Sequence, residues 1–99
     1  MAKTVLIVED NELNMKLFHD LLEAHGYGTV GTRNGIEALD LARKHRPDLV
    51  LMDIQLEGAM RGTEAARRIR ERTNARIIFI TAFPNALLRD SIEIPQPGI

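Results

Sequence analysis

The sequence predicts an α/β protein with a parallel sheet that helices cover on both faces. Short apolar runs and segments of helical spacing alternate along the 99 residues in the order β, α, β, α, β, α, β. Three of these runs are almost continuously apolar, as is typical of strands buried on both faces: residues 5–8, 49–54 and 77–80. Parallel strands that alternate with helices are joined by right-handed crossovers, so we expect a doubly wound sheet.

A strand over residues 5–8 and an amphipathic helix begin the chain. Leu13, Leu17 and Leu21 recur every four residues, and Phe18 and Leu22 lie beside them in the same helical pattern. The helix has candidate capping residues at both ends: Asp10 or Asn11 at the start and Gly26 at the finish.

The second strand–helix pair follows over residues 27–47. Residues 27–32 mix Val, Thr and Tyr with glycine, which favours a short edge strand. Asn34-Gly35 then opens a second helix, because apolar residues recur at helical spacing after it, and Pro47 ends that helix.

The third and fourth strands flank a third helix. Residues 49–54 form the third strand, residues 55–62 a loop, and residues 63–72 a helix with Ala65, Ala66 and Ile69 inward. The fourth strand ends at the polar residue Thr81, after which the pattern weakens.

Composition excludes several classes of function. The 99 residues are 44% hydrophobic and predict one domain with a single core, over residues 1–99. With 13 basic and 14 acidic residues the net charge is −1, and the arginines after residue 60 have no aromatic residues among them, so we expect neither nucleic acid nor membrane as a partner. The absence of cysteine excludes disulfides and thiolate chemistry, and the first apolar run is too short for a signal peptide or membrane span, so we expect a cytoplasmic protein.

Acidic residues end two of the predicted strands. Glu9 and Asp10 follow the first strand and Asp53 ends the third, and ligands of open parallel sheets bind at the carboxyl ends of the strands. If these strands are neighbours, three carboxylates converge, and a cluster of oxygen ligands without histidine or cysteine selects a hard cation such as Mg²⁺. A carboxylate beside Mg²⁺ can also be a nucleophile toward phosphorus, and the hydroxyl of Thr81 can position the transferred oxygens.

Three segments together resemble the receiver domains of two-component response regulators: residues 5–11 (VLIVEDN), 47–54 (PDLVLMDI) and 80–83 (ITAF). The first half is similar to single-domain receivers of the DivK type, and the second half, from Leu56, to receivers of the PhyR type. The resemblance implies that Asp53 is the phosphoacceptor, that Glu9, Asp10, Asp53 and the Gln55 backbone carbonyl hold Mg²⁺, and that Thr81 is the switch hydroxyl. It also implies a histidine kinase or histidine phosphotransfer protein as the phosphodonor, a downstream protein target, and no enzymatic activity apart from phosphorylation and slow dephosphorylation of its own aspartate.

The resemblance further implies a flavodoxin-like fold with the strand order 2-1-3-4. The family's lysine before proline, its fifth strand and its fifth helix are not matched here, since no lysine follows Lys44. We therefore expect an incomplete receiver whose fourth strand is an apolar edge, and which forms a homodimer or exchanges elements between copies.

Two other functions remain open at this point. The chain could be a receiver-like protein-interaction module whose switching is impaired because the family lysine is absent. It could also be a phosphohydrolase with an aspartate nucleophile, although such enzymes usually carry a second acid two residues after the nucleophile, where this chain has Gln55.

Overall fold

Each predicted strand and helix is present in the computed structural model, which describes residues 3–56 and 60–80. Over these residues the elements are β1 (Thr4–Val8), α1 (Glu12–Ala24), β2 (Gly28–Thr32), α2 (Gly35–His45), β3 (Leu49–Asp53), α3 (Gly62–Arg72) and β4 (Arg76–Ile80). None of the helices in these ranges is long and apolar enough to cross a membrane.

The four strands form one parallel sheet in the order β2-β1-β3-β4, which confirms the predicted 2-1-3-4 order. The central strands β1 and β3 pair with Val8 opposite Met52. This register brings the residues that follow β1 alongside the end of β3. The expected loss of the fifth strand and helix concerns residues that lie outside the described ranges.

Helices cover the sheet on opposite faces. Leu6 and Val8 of β1 and Val50 and Met52 of β3 belong to a core completed by α2 and α3. Alternate β1 residues, Val5 and Ile7, are equally buried but lie outside this core, on the face that α1 covers. The doubly wound architecture predicted from the sequence is therefore confirmed.

The caps predicted for α1 are present, and α2 has an N-cap that was not predicted. Asn11, one of the two candidates, accepts a hydrogen bond from the Asn14 N–H at 2.9 Å, and the Asn34 side chain does the same for Glu37 N–H at 2.7 Å. Gly26 has a φ of 88°, a conformation that glycine adopts without strain, and this turn ends α1.

The face of α1 that packs on the sheet does not include its three leucines four residues apart. Leu13, Leu17 and Leu21 are 64%, 56% and 58% exposed, whereas Phe18 and Leu22 are half-buried. Leucines four apart advance by about 40° per step around a helix, so their stripe lies beside the face that packs on the sheet. The prediction of a helix from this spacing is confirmed, and the half-buried Phe18 and Leu22 lie on its packing face.

Strand β4 is an exposed apolar edge of the described sheet, in agreement with the edge strand expected from the sequence. Ile78 is 51% and Phe79 36% exposed, because β4 pairs only with β3 among the described residues and is an edge of this sheet.

Candidate functional site

Three carboxylates meet at the carboxyl end of the two central strands. Glu9 and Asp10 follow β1 directly, and Asp53 is the last residue of β3. Because Val8 lies opposite Met52, the next positions on both strands bring Glu9 beside Asp53. Ligand oxygens of Glu9, Asp10 and Asp53 all lie within 4.8 Å of one another.

The Glu9 side chain is held in the interior although it is acidic. It is 1% exposed, its N–H donates to the Thr32 carbonyl at 3.0 Å, and its Oε2 accepts from the Asn11 N–H at 3.1 Å. Burial raises the pKa of the Glu9 carboxyl from 4.5 to about 7, the Asn11 N–H opposes this change, and the hydrogen bond and charge of Asp53 add to it. Burial and the neighbouring Asp53 carboxylate therefore both disfavour the ionised form of Glu9.

The Asp53 side chain is equally buried and its position is fixed from two directions. It is 1% exposed, and its Oδ1 accepts from the Gln55 N–H at 2.9 Å. The β-ladder continues past it, because the Ile54 N–H donates to the Ile80 carbonyl at 2.9 Å. Hydrogen bonds therefore hold both the Asp53 carboxylate and the strand end that carries it.

Gly62 lies against the backbone of Asp53. A Cβ placed on Gly62 would lie 2.0 Å from the Asp53 carbonyl oxygen, so no side chain fits there without displacing the strand end or α3. From the sequence, Gly62 is predicted only as the end of a loop. The available signal was a glycine at the start of a helix whose preceding residue, Arg61, provides no side-chain cap.

The donor set fits a hard divalent cation. All three converging groups are carboxylates, two of them are buried, and oxygen ligands of this kind suit Mg²⁺. A cation would also relieve the repulsion that contributes to the raised pKa of Glu9. The residues that could hold a metal are therefore Glu9, Asp10 and Asp53.

The predicted roles of two further site residues, Gln55 and Thr81, stay predictions. Gln55 follows Asp53 closely and its N–H is used by the Asp53 carboxylate, while the role of its carbonyl stays a prediction. Thr81, the predicted switch hydroxyl, lies outside the described residues.

A family model for the response regulator receiver domain matches residues 5–94. The chain belongs to the response regulator receiver family. It is 55% identical over 101 residues to the polar-differentiation response regulator DivK of Brucella anthropi, and the match covers 99% of this chain and 80% of that protein. The family resemblance drawn from the sequence is therefore confirmed.

Solved receiver structures are similar to this receiver in fold. The PhyR receiver domain of Erythrobacter litoralis is 35% identical, with a TM-score of 0.76 and coverage of 98% of this chain and 74% of that one. Another similar structure is the receiver domain of the sensor histidine kinase PA1611 from Pseudomonas aeruginosa PAO1, which was solved with a magnesium ion in its active-site cleft. It is 33% identical, with a TM-score of 0.76 and coverage of 85% of this chain and 70% of that one. Three other matched structures are longer, and this receiver spans 62% to 65% of their length.

Proposed function

We propose that this receiver accepts a phosphoryl group on Asp53 from a histidine kinase or a histidine phosphotransfer protein. The observation that carries the proposal is the convergence of Glu9, Asp10 and Asp53 at the carboxyl ends of β1 and β3, with two of the three side chains buried. In the transfer, an Asp53 oxygen forms a bond to phosphorus while the bond from phosphorus to the donor's imidazole nitrogen breaks and its electron pair leaves with the nitrogen.

The chain's own groups position the nucleophile. The Gln55 N–H holds one carboxylate oxygen of Asp53, and Gly62 allows α3 to pack against the peptide of Asp53. Glu9, Asp10, Asp53 and the Gln55 carbonyl would hold Mg²⁺, which when bound supplies positive charge for the transferred oxygens. The magnesium-bound structure of the PA1611 receiver supports this assignment by analogy.

Thr81 is proposed as the hydroxyl that responds to phosphorylation, with a downstream protein as the reader of the altered surface. Phosphorylation adds charge that a two-state surface can transmit. In this proposal the only chemistry of the receiver is phosphorylation and slow dephosphorylation of its own aspartate.

Acetyl phosphate tests the phosphoacceptor directly. The chain is incubated with acetyl phosphate with and without Mg²⁺, and intact mass is measured; beryllofluoride titration followed by backbone amide resonances is a second readout. We expect a Mg²⁺-dependent gain of one phosphoryl group that Asp53→Asn abolishes and the exposed control Asp20→Asn retains. An Asp53→Asn chain labelled as well as the parent would refute the proposal.

The exposed leucine stripe of α1 supports a docking role for this helix. Leu13, Leu17 and Leu21 form it, and it begins three residues after Asp10, next to the proposed site. A phosphodonor that covers this stripe would place its phosphohistidine close to Asp53. We expect Leu17→Asp to reduce phosphotransfer from autophosphorylated histidine kinases while leaving labelling by acetyl phosphate unchanged, and equal loss in both reactions would contradict this role.

Self-association is proposed through the exposed edge strand β4. Ile78 and Phe79 are exposed on β4, an edge strand of the described sheet, and an apolar edge favours pairing with a second copy. Light scattering that shows a monomer at high protein concentration would contradict this proposal.

A further inference from the structure

Arg33 joins the end of β2 to the loop that carries Asp10. It follows β2 directly, and its Nη2 donates to the backbone carbonyl of Asp10 at 3.1 Å. Its Nη1 contacts Glu12 Oε1, also at 3.1 Å, at the first residue of α1. One guanidinium therefore bridges the loop after β1 and the start of the following helix.

The loop needs such a contact because α1 is shallowly packed. None of the residues of α1 is fully buried. A cavity of about 300 Å³ lies beside the loop, with Glu9, Met15 and Arg33 in its lining. Side-chain packing therefore leaves the start of α1 only partly buried, and the polar contacts of Asn11 and Arg33 add to what holds it.

The ion pair between Arg33 and Glu12 contributes little by itself. The side chains of Arg33 and Glu12 are 63% and 84% exposed, and exposed pairs of this kind contribute little to stability. The bond to the Asp10 carbonyl differs because it holds the peptide from which one of the three converging carboxylates projects.

We infer that Arg33 is a positioning residue for the divalent-cation site: it holds the Asp10 peptide so that the carboxylate is already in place before the cation binds. The inference rests on the proposed function, since it concerns the same carboxylates. Without Arg33 the loop samples other conformations, and binding must then order it at a cost in affinity.

Electrostatics alone predicts the opposite result. Arg33 is a cation near the carboxylates, so its removal lowers the local positive charge and strengthens the attraction for Mg²⁺. Positioning predicts weaker binding when the same side chain is removed. The sign of the change in affinity therefore separates the two effects.

The experiment measures Mg²⁺ affinity by isothermal titration calorimetry on four chains: the parent, Arg33→Ala, Arg33→Lys and Arg72→Ala. Arg72 is the matched control because it is an exposed arginine at the end of α3, at the opposite edge of the sheet from the carboxylates. Backbone amide resonances of residues 9–12 in the metal-free chains give a second readout, which does not depend on phosphorylation.

We expect Arg33→Ala to weaken Mg²⁺ binding by about three- to tenfold, which corresponds to the usual net contribution of one hydrogen bond. Arg33→Lys should be intermediate, because lysine keeps the charge but cannot contact both acceptors in the same fork geometry. Arg72→Ala should remain within about twofold of the parent, since its charge is distant and screened.

Mg²⁺ binding by Arg33→Ala that equals or exceeds that of the parent overturns the inference and leaves the proposed function standing. A parent chain that binds no Mg²⁺ overturns the metal site of the proposed function itself. If circular dichroism shows that Arg33→Ala is unfolded, Arg33→Lys gives the answer, and parental affinity in that variant overturns the inference.

Discussion

Replacing Glu9 by glutamine tests the electrostatics of the acidic site in the metal-free chain. The folded-state pKa of Glu9 is raised from 4.5 to about 7, chiefly by burial. A raised folded-state pKa means that the protonated carboxyl is favoured by folding. The stability linked to this group is therefore fully present below pH 4.5 and is lost as the pH rises through about 7.

The expected change in the free energy of unfolding follows from the size of the pKa change. The difference between 4.5 and about 7 is about 2.5 pH units, and each unit corresponds to about 1.36 kcal/mol, so the free energy of unfolding should fall by roughly 3 kcal/mol. Glutamine resembles the protonated carboxyl in shape and hydrogen bonding, and it cannot ionise. Glu9→Gln should therefore remove this part of the pH dependence.

Urea unfolding in the presence of EDTA, followed by circular dichroism from pH 4.5 to pH 8, measures the effect. The comparison is the difference between parent and Glu9→Gln at each pH, because that difference cancels the titration of the other groups. Glu23→Gln, at an exposed position on α1, is the matched control and should follow the parent. A parent and a Glu9→Gln chain with parallel pH profiles would refute the reasoning.

Five further substitutions, in three comparisons, test the packing and capping described above. Gly62→Ala should lower the free energy of unfolding in urea by about 1–3 kcal/mol, because its Cβ would lie 2.0 Å from the carbonyl oxygen at the end of β3. The control Gly28→Ala should lower it clearly less, because a Cβ there has its nearest neighbours at 3.9 Å. Asn34→Ala should cost about 1 kcal/mol in thermal unfolding through loss of the cap of α2, and an unchanged melting temperature would contradict that role. In the same urea assay, Leu17→Ala should lower the free energy of unfolding by under about 1 kcal/mol and Leu6→Ala by about 2–5 kcal/mol, because only the Leu6 side chain is buried. Equal losses would show that the exposed leucine stripe of α1 is packed in solution.

The alternation of strands and helices and the acids at two strand ends follow from local signals, whereas the strand order that brings the acids together came from the resemblance to receiver domains. Apolar runs ending in Asp10 and Asp53 identify two strand ends, and parallel winding brings such ends to one edge of the sheet. The alternation of short strands and helices left few other arrangements for a chain of this length.

Features that depend on the exact placement of elements could not be predicted in the same way. The leucine spacing of α1 indicates a helix, but which side of that helix meets the sheet depends on how the whole element is rotated against β1 and β2, so the exposure of Leu17 could not be predicted from the spacing. Gly62 and Arg33 act through partners distant in the chain, at Asp53 and Asp10, and no local pattern reveals such contacts.

Helix α1 is less buried than α2 and α3, so the acidic residues of the site lie in regions of different local stability. Asp53 ends a strand whose alternate side chains enter the core shared with α2 and α3, while Asp10 lies at the entrance to α1, which buries none of its residues completely. Segments with little buried surface open more often than the core does, so amide protons of α1 should exchange faster than those of β3. A cation held by both regions would couple their opening, and Mg²⁺ should slow hydrogen exchange in α1 far more than in β3.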